Sequence, residues 1–149
     1  MEDVLPEGAV LLDIDLVDKP RAISHVAGLL AALAGTAPET IEGALLAREA
    51  LGSTGVGGGV ALPHARLHSL RKTHAIFVRL VSPILYESID SMPVDLLCAI
   101  VAPDEPNSDL LTAVSALARP LRDQLKKSVL RETRDVAQAR KVLLSGEAP

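Results

Sequence analysis

The sequence predicts one α/β domain with helices packed on a sheet, and three observations carry that prediction. Strand-like and helix-like segments alternate along the 149 residues. Thr73 to Ser82 (THAIFVRLVS) and Val94 to Ala102 (VDLLCAIVA) are near-continuous apolar runs, as expected of strands buried on both faces. The chain is 48% hydrophobic, enough for a single sizeable core, and it holds no linker, repeat or low-complexity tract.

The elements follow in order. Ala9 to Leu16 ends in apolar/acidic alternation and reads as a first strand. Asp18 is placed to cap a helix that tolerates Pro20 in its first turn. Ile23, Val26, Ala27, Leu30 and Leu33 recur at helical spacing, and Gly35 closes the helix. A second helix runs from Pro38 to Leu51. Gly52 to Gly59 (GSTGVGGG) has five glycines in eight residues, and a short strand, Val60 to Pro63, leads into His64. Tyr86 to Pro93 reads as a surface connection between the two apolar strands. Asn107 or Ser108 caps a helix carrying Leu110, Leu111, Val114, Leu117 and Leu121, which Pro120 should kink or end. Arg122 to Ser145 forms one or two closing helices, and residues 146–149 a tail.

Composition excludes several functions. A net charge of −4 and two aromatics, Phe77 and Tyr86, argue against nucleic acid as a partner. No apolar run approaches the roughly 20 residues of a membrane span, and the acidic N-terminus lacks a secretory signal. We therefore expect a cytoplasmic chain with no membrane insertion. Cys98 lies alone inside an apolar run, which leaves no disulfide framework and reads as a small buried hydrophobe.

Candidate chemistry gathers between Ala47 and Arg66. Successive glycine N–H groups, with the Ser53 and Thr54 hydroxyls, can converge on an anion such as phosphate, although glycine richness fits a mobile turn as well. A Walker loop fails because no Gly-Lys-Ser/Thr exists, and a Rossmann fingerprint fails because a helix precedes the glycines. Pro63 restricts the backbone beside His64. Arg48 shares a helix face with Ile41, Ala44, Leu45 and Leu51, so its guanidinium either pairs with an acid or reaches an anion near the loop, whereas neighbouring Glu49 can sit in water. His64, His68 and His74 lack the cysteine or close carboxylate that would complete a zinc set, so no metal is expected. His68 and His74 flank a basic loop and read as solvated, and His25 as a surface residue. Ser53 is in no nucleophile elbow, which removes a Ser-His-Asp hydrolase.

Arg48-Glu49-Ala50-Leu51-Gly52-Ser53-Thr54-Gly55-Val56-Gly57, running into Gly59-Val60-Ala61-Leu62-Pro63-His64, resembles the type-2 enzyme IIA domain of the bacterial phosphoenolpyruvate-dependent phosphotransferase system, its nitrogen-regulatory branch above all. Ile89-Asp90, Pro93-Val94-Asp95-Leu96-Leu97 and Ala102-Pro103 extend the likeness across about residues 5–144 of one domain spanning 1–149. The resemblance implies a mixed sheet of about five strands flanked by helices on both sides. It implies that His64 accepts a phosphoryl group at Nε2 from an HPr-type phosphocarrier and that Arg48 supports the phosphorylated ring. Ser53, Thr54, Gly57, Gly58, Gly59 and Arg66 are the further candidates to bind the phosphoryl group, with no cofactor. The expected partners are a IIB component or a regulatory target protein. Members of that family usually carry a second active-site histidine after Ala-Pro. Ungapped counting puts Leu110, beside Asp109, at that place.

Overall fold

A computed structural model describes residues 1–146. A six-stranded mixed sheet carries five helices in two groups, one on each side. The strands are β1 (Val10–Ile14), β2 (Gly55–Gly57), β3 (Val60–Ala61), β4 (His64–Leu67), β5 (His74–Ile84) and β6 (Val94–Pro103). The helices are α1 (Lys19–Ala34), α2 (Pro38–Leu51), α3 (Leu110–Arg122), α4 (Gln124–Glu132) and α5 (Val136–Leu144). The sheet order is β1-β5-β6-β3-β2, with β4 also paired to β6. The first group, α1 with α2, lies on β5 and β4, and the second, α3 with α4 and α5, lies on β6 and β1.

The apolar runs became the central pair, as expected. Ala75 to Val78 and Leu96 to Ala102 are at most 1% exposed, because helices cover both faces. Caps fix the first helix. The Asp18 carboxylate accepts from the Arg21 N–H at 2.9 Å, and Gly35, at φ 70°, ends the helix by donating to the Ala31 carbonyl. Asp109, rather than Asn107 or Ser108, occupies the N-cap position of α3, and the Ser108 Oγ accepts from the Leu110 N–H at 3.4 Å. That helix continues two residues past Pro120, and two further helices close the chain.

Expectation and structure differ where a polar or turn residue is held by distant partners. Six strands form because the glycine segment contributes β2 and the chain beyond His64 is itself a strand. Val60 and Ala61 face Leu96 and Leu97 on β6, and His64 to Leu67 face Ile100 to Pro103, in one unbroken parallel register. Leu62-Pro63 interrupts only the donor pattern, since proline has no N–H, while the Pro63 carbonyl still accepts from Ile100. His74, expected in solvent, opens β5 and is 7% exposed, whereas His68 is exposed as expected and meets Asp104 at 3.1 Å. His25 is half-buried, and its Nε2 is sealed without a partner. The connection from Tyr86 to Pro93 is anchored inward by Tyr86 and Ser88. Gly146, placed in the expected tail, is buried against α3: its carbonyl accepts from Arg119 at 2.7 Å, and a Cβ there would overlap the Ala116 oxygen. The rest of that tail lies outside the described residues.

Candidate functional site

His64 takes its orientation from the strand that carries it. In β4 the exposure alternates, so His64 and Arg66 face outward while Ala65 and Leu67 face the core. The His64 Nδ1 lies 2.7 Å from the Leu62 carbonyl oxygen. A carbonyl can only accept, so Nδ1 carries the proton and Nε2 presents a lone pair. Nε2 has no partner among the described residues.

The ring borders a concavity of about 380 Å³. Ala44, Ala47 and Leu51 of α2 form one wall and Leu110 and Leu111 of α3 another, and Arg48 and Arg66 supply the cations. The Arg48 Nη1 donates to the Gly52 carbonyl at 2.8 Å, which holds the guanidinium over the end of α2 and leaves its other N–H groups open. Within this concavity Leu110 is 2% exposed and Leu111 65% exposed, so neither offers a donor or a charge opposite His64. Asp109 does not line it; the Asp109 carboxylate accepts from the Thr73 hydroxyl instead.

The structure brings His64, Arg48 and Arg66 together and places the other candidates elsewhere. The Ser53 hydroxyl donates to the Tyr86 carbonyl at 2.9 Å and accepts from the Gly55 N–H. The Thr54 hydroxyl, on a residue 3% exposed, donates to Glu49. Gly57, Gly58 and Gly59 make the tight turn from β2 to β3, at φ 96°, 66° and 80°, where residues with a Cβ are strained. The Gly58 N–H donates to Asp90 at 2.9 Å, and its carbonyl accepts from Lys127 and Arg131. Gly57 and Gly58 line a different cavity, with Leu62 and Val114.

Glu49 reverses the expectation that it sits in water. Its side chain is 6% exposed, with Lys19 at 2.9 Å, the Thr54 N–H at 3.1 Å, the Thr54 hydroxyl, and the Tyr86 hydroxyl at 3.2 Å. Burial alone pushes this carboxyl up, but the bonds from Thr54 and Lys19 outweigh it and hold the group below its ordinary value. Burial raises the Tyr86 phenol well above its own, so it stays protonated as a donor. The Lys19 ammonium lies 4.5 Å from the Tyr86 ring centroid. This cluster ties α1, the end of α2 and the connection after β5 together directly behind Arg48. No local spacing announces it, because Lys19 and Tyr86 reach Glu49 from distant parts of the chain. Cys98 is buried as expected, its thiol pushed up to about 12 by burial.

Fold and concavity together define a class: a mixed-sheet α/β domain that presents one tethered imidazole from a strand, flanked by two arginines. Residues 3–146 match the family "Phosphoenolpyruvate-dependent sugar phosphotransferase system, EIIA 2", and the chain belongs to that family. The nitrogen regulatory protein of Bradyrhizobium diazoefficiens is 41% identical over 137 residues, 92% of this chain and 89% of that protein. The crystal structure of nitrogen regulatory protein IIA-Ntr from Neisseria meningitidis matches with a TM-score of 0.90 at 28% identity, over 95% of this chain and 97% of that one. The Escherichia coli mannitol enzyme IIA, solved in complex with phosphorylated mannitol enzyme IIB, matches with a TM-score of 0.80 at 21% identity, over 95% and 97%, which shows a shared fold. No helix among the described residues is long and apolar enough to cross a membrane.

Proposed function

We propose that this chain is a regulatory phosphoprotein of the phosphotransferase system, phosphorylated on His64 by an HPr-type carrier. The observation that carries the reading is the tether from His64 Nδ1 to the Leu62 carbonyl, which leaves Nε2 as the nucleophile. In the transfer, the Nε2 lone pair attacks phosphorus, and the phosphorus–nitrogen bond of the donor phosphohistidine breaks. That bond's electron pair returns to the donor ring. The Nδ1–H keeps donating to the Leu62 carbonyl, which stabilises the positive character that the acceptor ring gains. Arg48 and Arg66, which line the same concavity, neutralise the phosphoryl oxygens in this scheme, and positioning with charge stabilisation is most of what such a loose transition state requires. Ser53, Thr54 and Gly57 to Gly59 support the loop behind the site in this reading. No cofactor or metal takes part in this scheme.

The regulatory role is favoured over sugar-specific delivery to a IIB component by two features. The curated relative from Bradyrhizobium is named a nitrogen regulatory protein, and the wall opposite His64 is leucine, with no group to help return the phosphoryl. The test is incubation with phosphoenolpyruvate, enzyme I and HPr, followed by intact mass. We expect one acid-labile phosphoryl group, absent from His64→Ala and retained in His68→Ala and His74→Ala. Labelling of His64→Ala refutes the assignment. Rapid discharge of the phosphoprotein to a IIB domain moves the reading to a sugar phosphocarrier.

A further inference from the structure

A third concavity, of about 580 Å³, lies between the end of α1 and the turn that enters β5. Leu33 and Ala34 form its apolar wall, and Ser69, Arg71, Lys72 and His74 the polar one. It shares no lining residue with the His64 concavity, and no carboxylate lines it.

His74 is the decisive side chain. It is 7% exposed, yet neither ring nitrogen has a hydrogen-bond partner among the described residues. Among the described residues the sealed, unpartnered side-chain polar atoms are His25 Nε2 and Ser88 Oγ, so the His74 nitrogens are not sealed, and the ring lines this concavity. Burial, and then the charge of Lys72, hold this imidazole below its ordinary 6.5, so near neutral pH it is a neutral donor and acceptor. Arg71 and Lys72 are exposed and, like most cations of the chain, meet no carboxylate among the described residues, so their charge is available to a ligand. The negative end of the α1 dipole gives these cations a structural use and opposes an anion there, so the two positive charges must outweigh it; the Ala31 carbonyl is taken by the Gly35 and Thr36 N–H groups, and the dipole leaves His74 unexplained.

We propose that this concavity binds a phosphate group, free or as the head of a small monoester, through Arg71, Lys72, the Ser69 hydroxyl and His74. A guanidinium and an ammonium together match the charge of a phosphate dianion, and the hydroxyl and imidazole are free to donate to its remaining oxygens. Leu33 and Ala34 give the carbon body of a monoester an apolar surface, and the volume suits a small ligand.

The test is amide and imidazole NMR of the full chain, titrated with inorganic phosphate and, separately, with phenyl phosphate. Saturable shifts at Gly35, Ser69, Arg71, Lys72 and His74 are expected. In R71Q/K72Q the affinity should fall at least about tenfold, as loss of charge-assisted bonds requires, while shifts around His64 stay as in the wild type. Tighter binding of phenyl phosphate assigns a monoester and equal binding the free ion; both uphold the site. Absence of saturable shifts there, or wild-type affinity in R71Q/K72Q, overturns the proposal. A variant that loses thermal stability but keeps its phosphate affinity does so too, by assigning the two cations to the end of α1.

Discussion

Glu49→Gln removes one charge from the cluster behind Arg48 and almost no volume. Breaking a buried ion pair by deleting one partner costs about 3–5 kcal/mol, because the other charge is stranded. Lys19 is less stranded than that: it is 15% exposed, and it retains Glu87 at 3.5 Å and the Tyr86 carbonyl at 3.4 Å. The glutamine oxygen can still accept from the Thr54 N–H. These features bring the expected loss to about 2–3 kcal/mol. For a chain of this length it corresponds to a fall in Tm of about 4–12 °C. Urea unfolding of wild type, Glu49→Gln, Lys19→Met and the double variant measures it, and the double variant should lose less than the sum of the singles. The pH dependence has a definite sign. The folded carboxyl titrates below its ordinary 4.5, so its contribution is complete above that pH and is lost as pH falls through the folded value. The wild-type stability curve should therefore drop more steeply than that of Glu49→Gln in this acid range. A Glu49→Gln loss under about 0.5 kcal/mol, the scale of ordinary surface changes, refutes the argument.

Two further outcomes concern phosphoryl transfer to His64. Arg48→Ala should slow phosphorylation by about ten- to a thousandfold, and Arg48→Lys should recover part of it, since an ammonium lacks the guanidinium fork; a wild-type rate in Arg48→Ala in stopped-flow labelling makes the residue structural. Leu110→His should speed transfer by restoring a donor opposite His64, with the more exposed Leu111→His as the comparison, and unchanged rates in both remove the idea that the leucine wall slows the reaction.

What could be read in advance depended on how local its cause was. The boundaries of α1 and α2 were legible because Asp18, Gly35 and Pro38 act within a few residues of themselves. The two central strands were legible because burial on both faces leaves a continuous apolar run. His64 and Arg48 stood out by motif, and the structure places them on one concavity. Glu49 is not legible as buried because two of its partners, Lys19 and Tyr86, are 30 and 37 positions away, and Thr54, five residues on, reads as an ordinary loop hydroxyl. The strand after His64 was missed because Arg66 and His68 give its outward face the look of a polar loop. The glycine segment leaves an anion cradle and a plain turn equally open, since the sequence shows the freedom of glycine and not the direction of its N–H groups. Asp90, 32 residues further on, takes the Gly58 N–H.

The unbroken register between residues 60–67 and β6 sets a rule about chain length rather than residue identity. Inserting or deleting one residue between Gly59 and His64 shifts β4 by one position, turning His64 and Arg66 toward the core and Ala65 and Leu67 toward solvent. Every residue type could be kept and the outward imidazole would still be lost. The exposed turn at 104–107 carries no such phase and can change in length without moving the imidazole. Descendants of this chain are free to lengthen there, while the count from the glycine turn to His64 is held fixed.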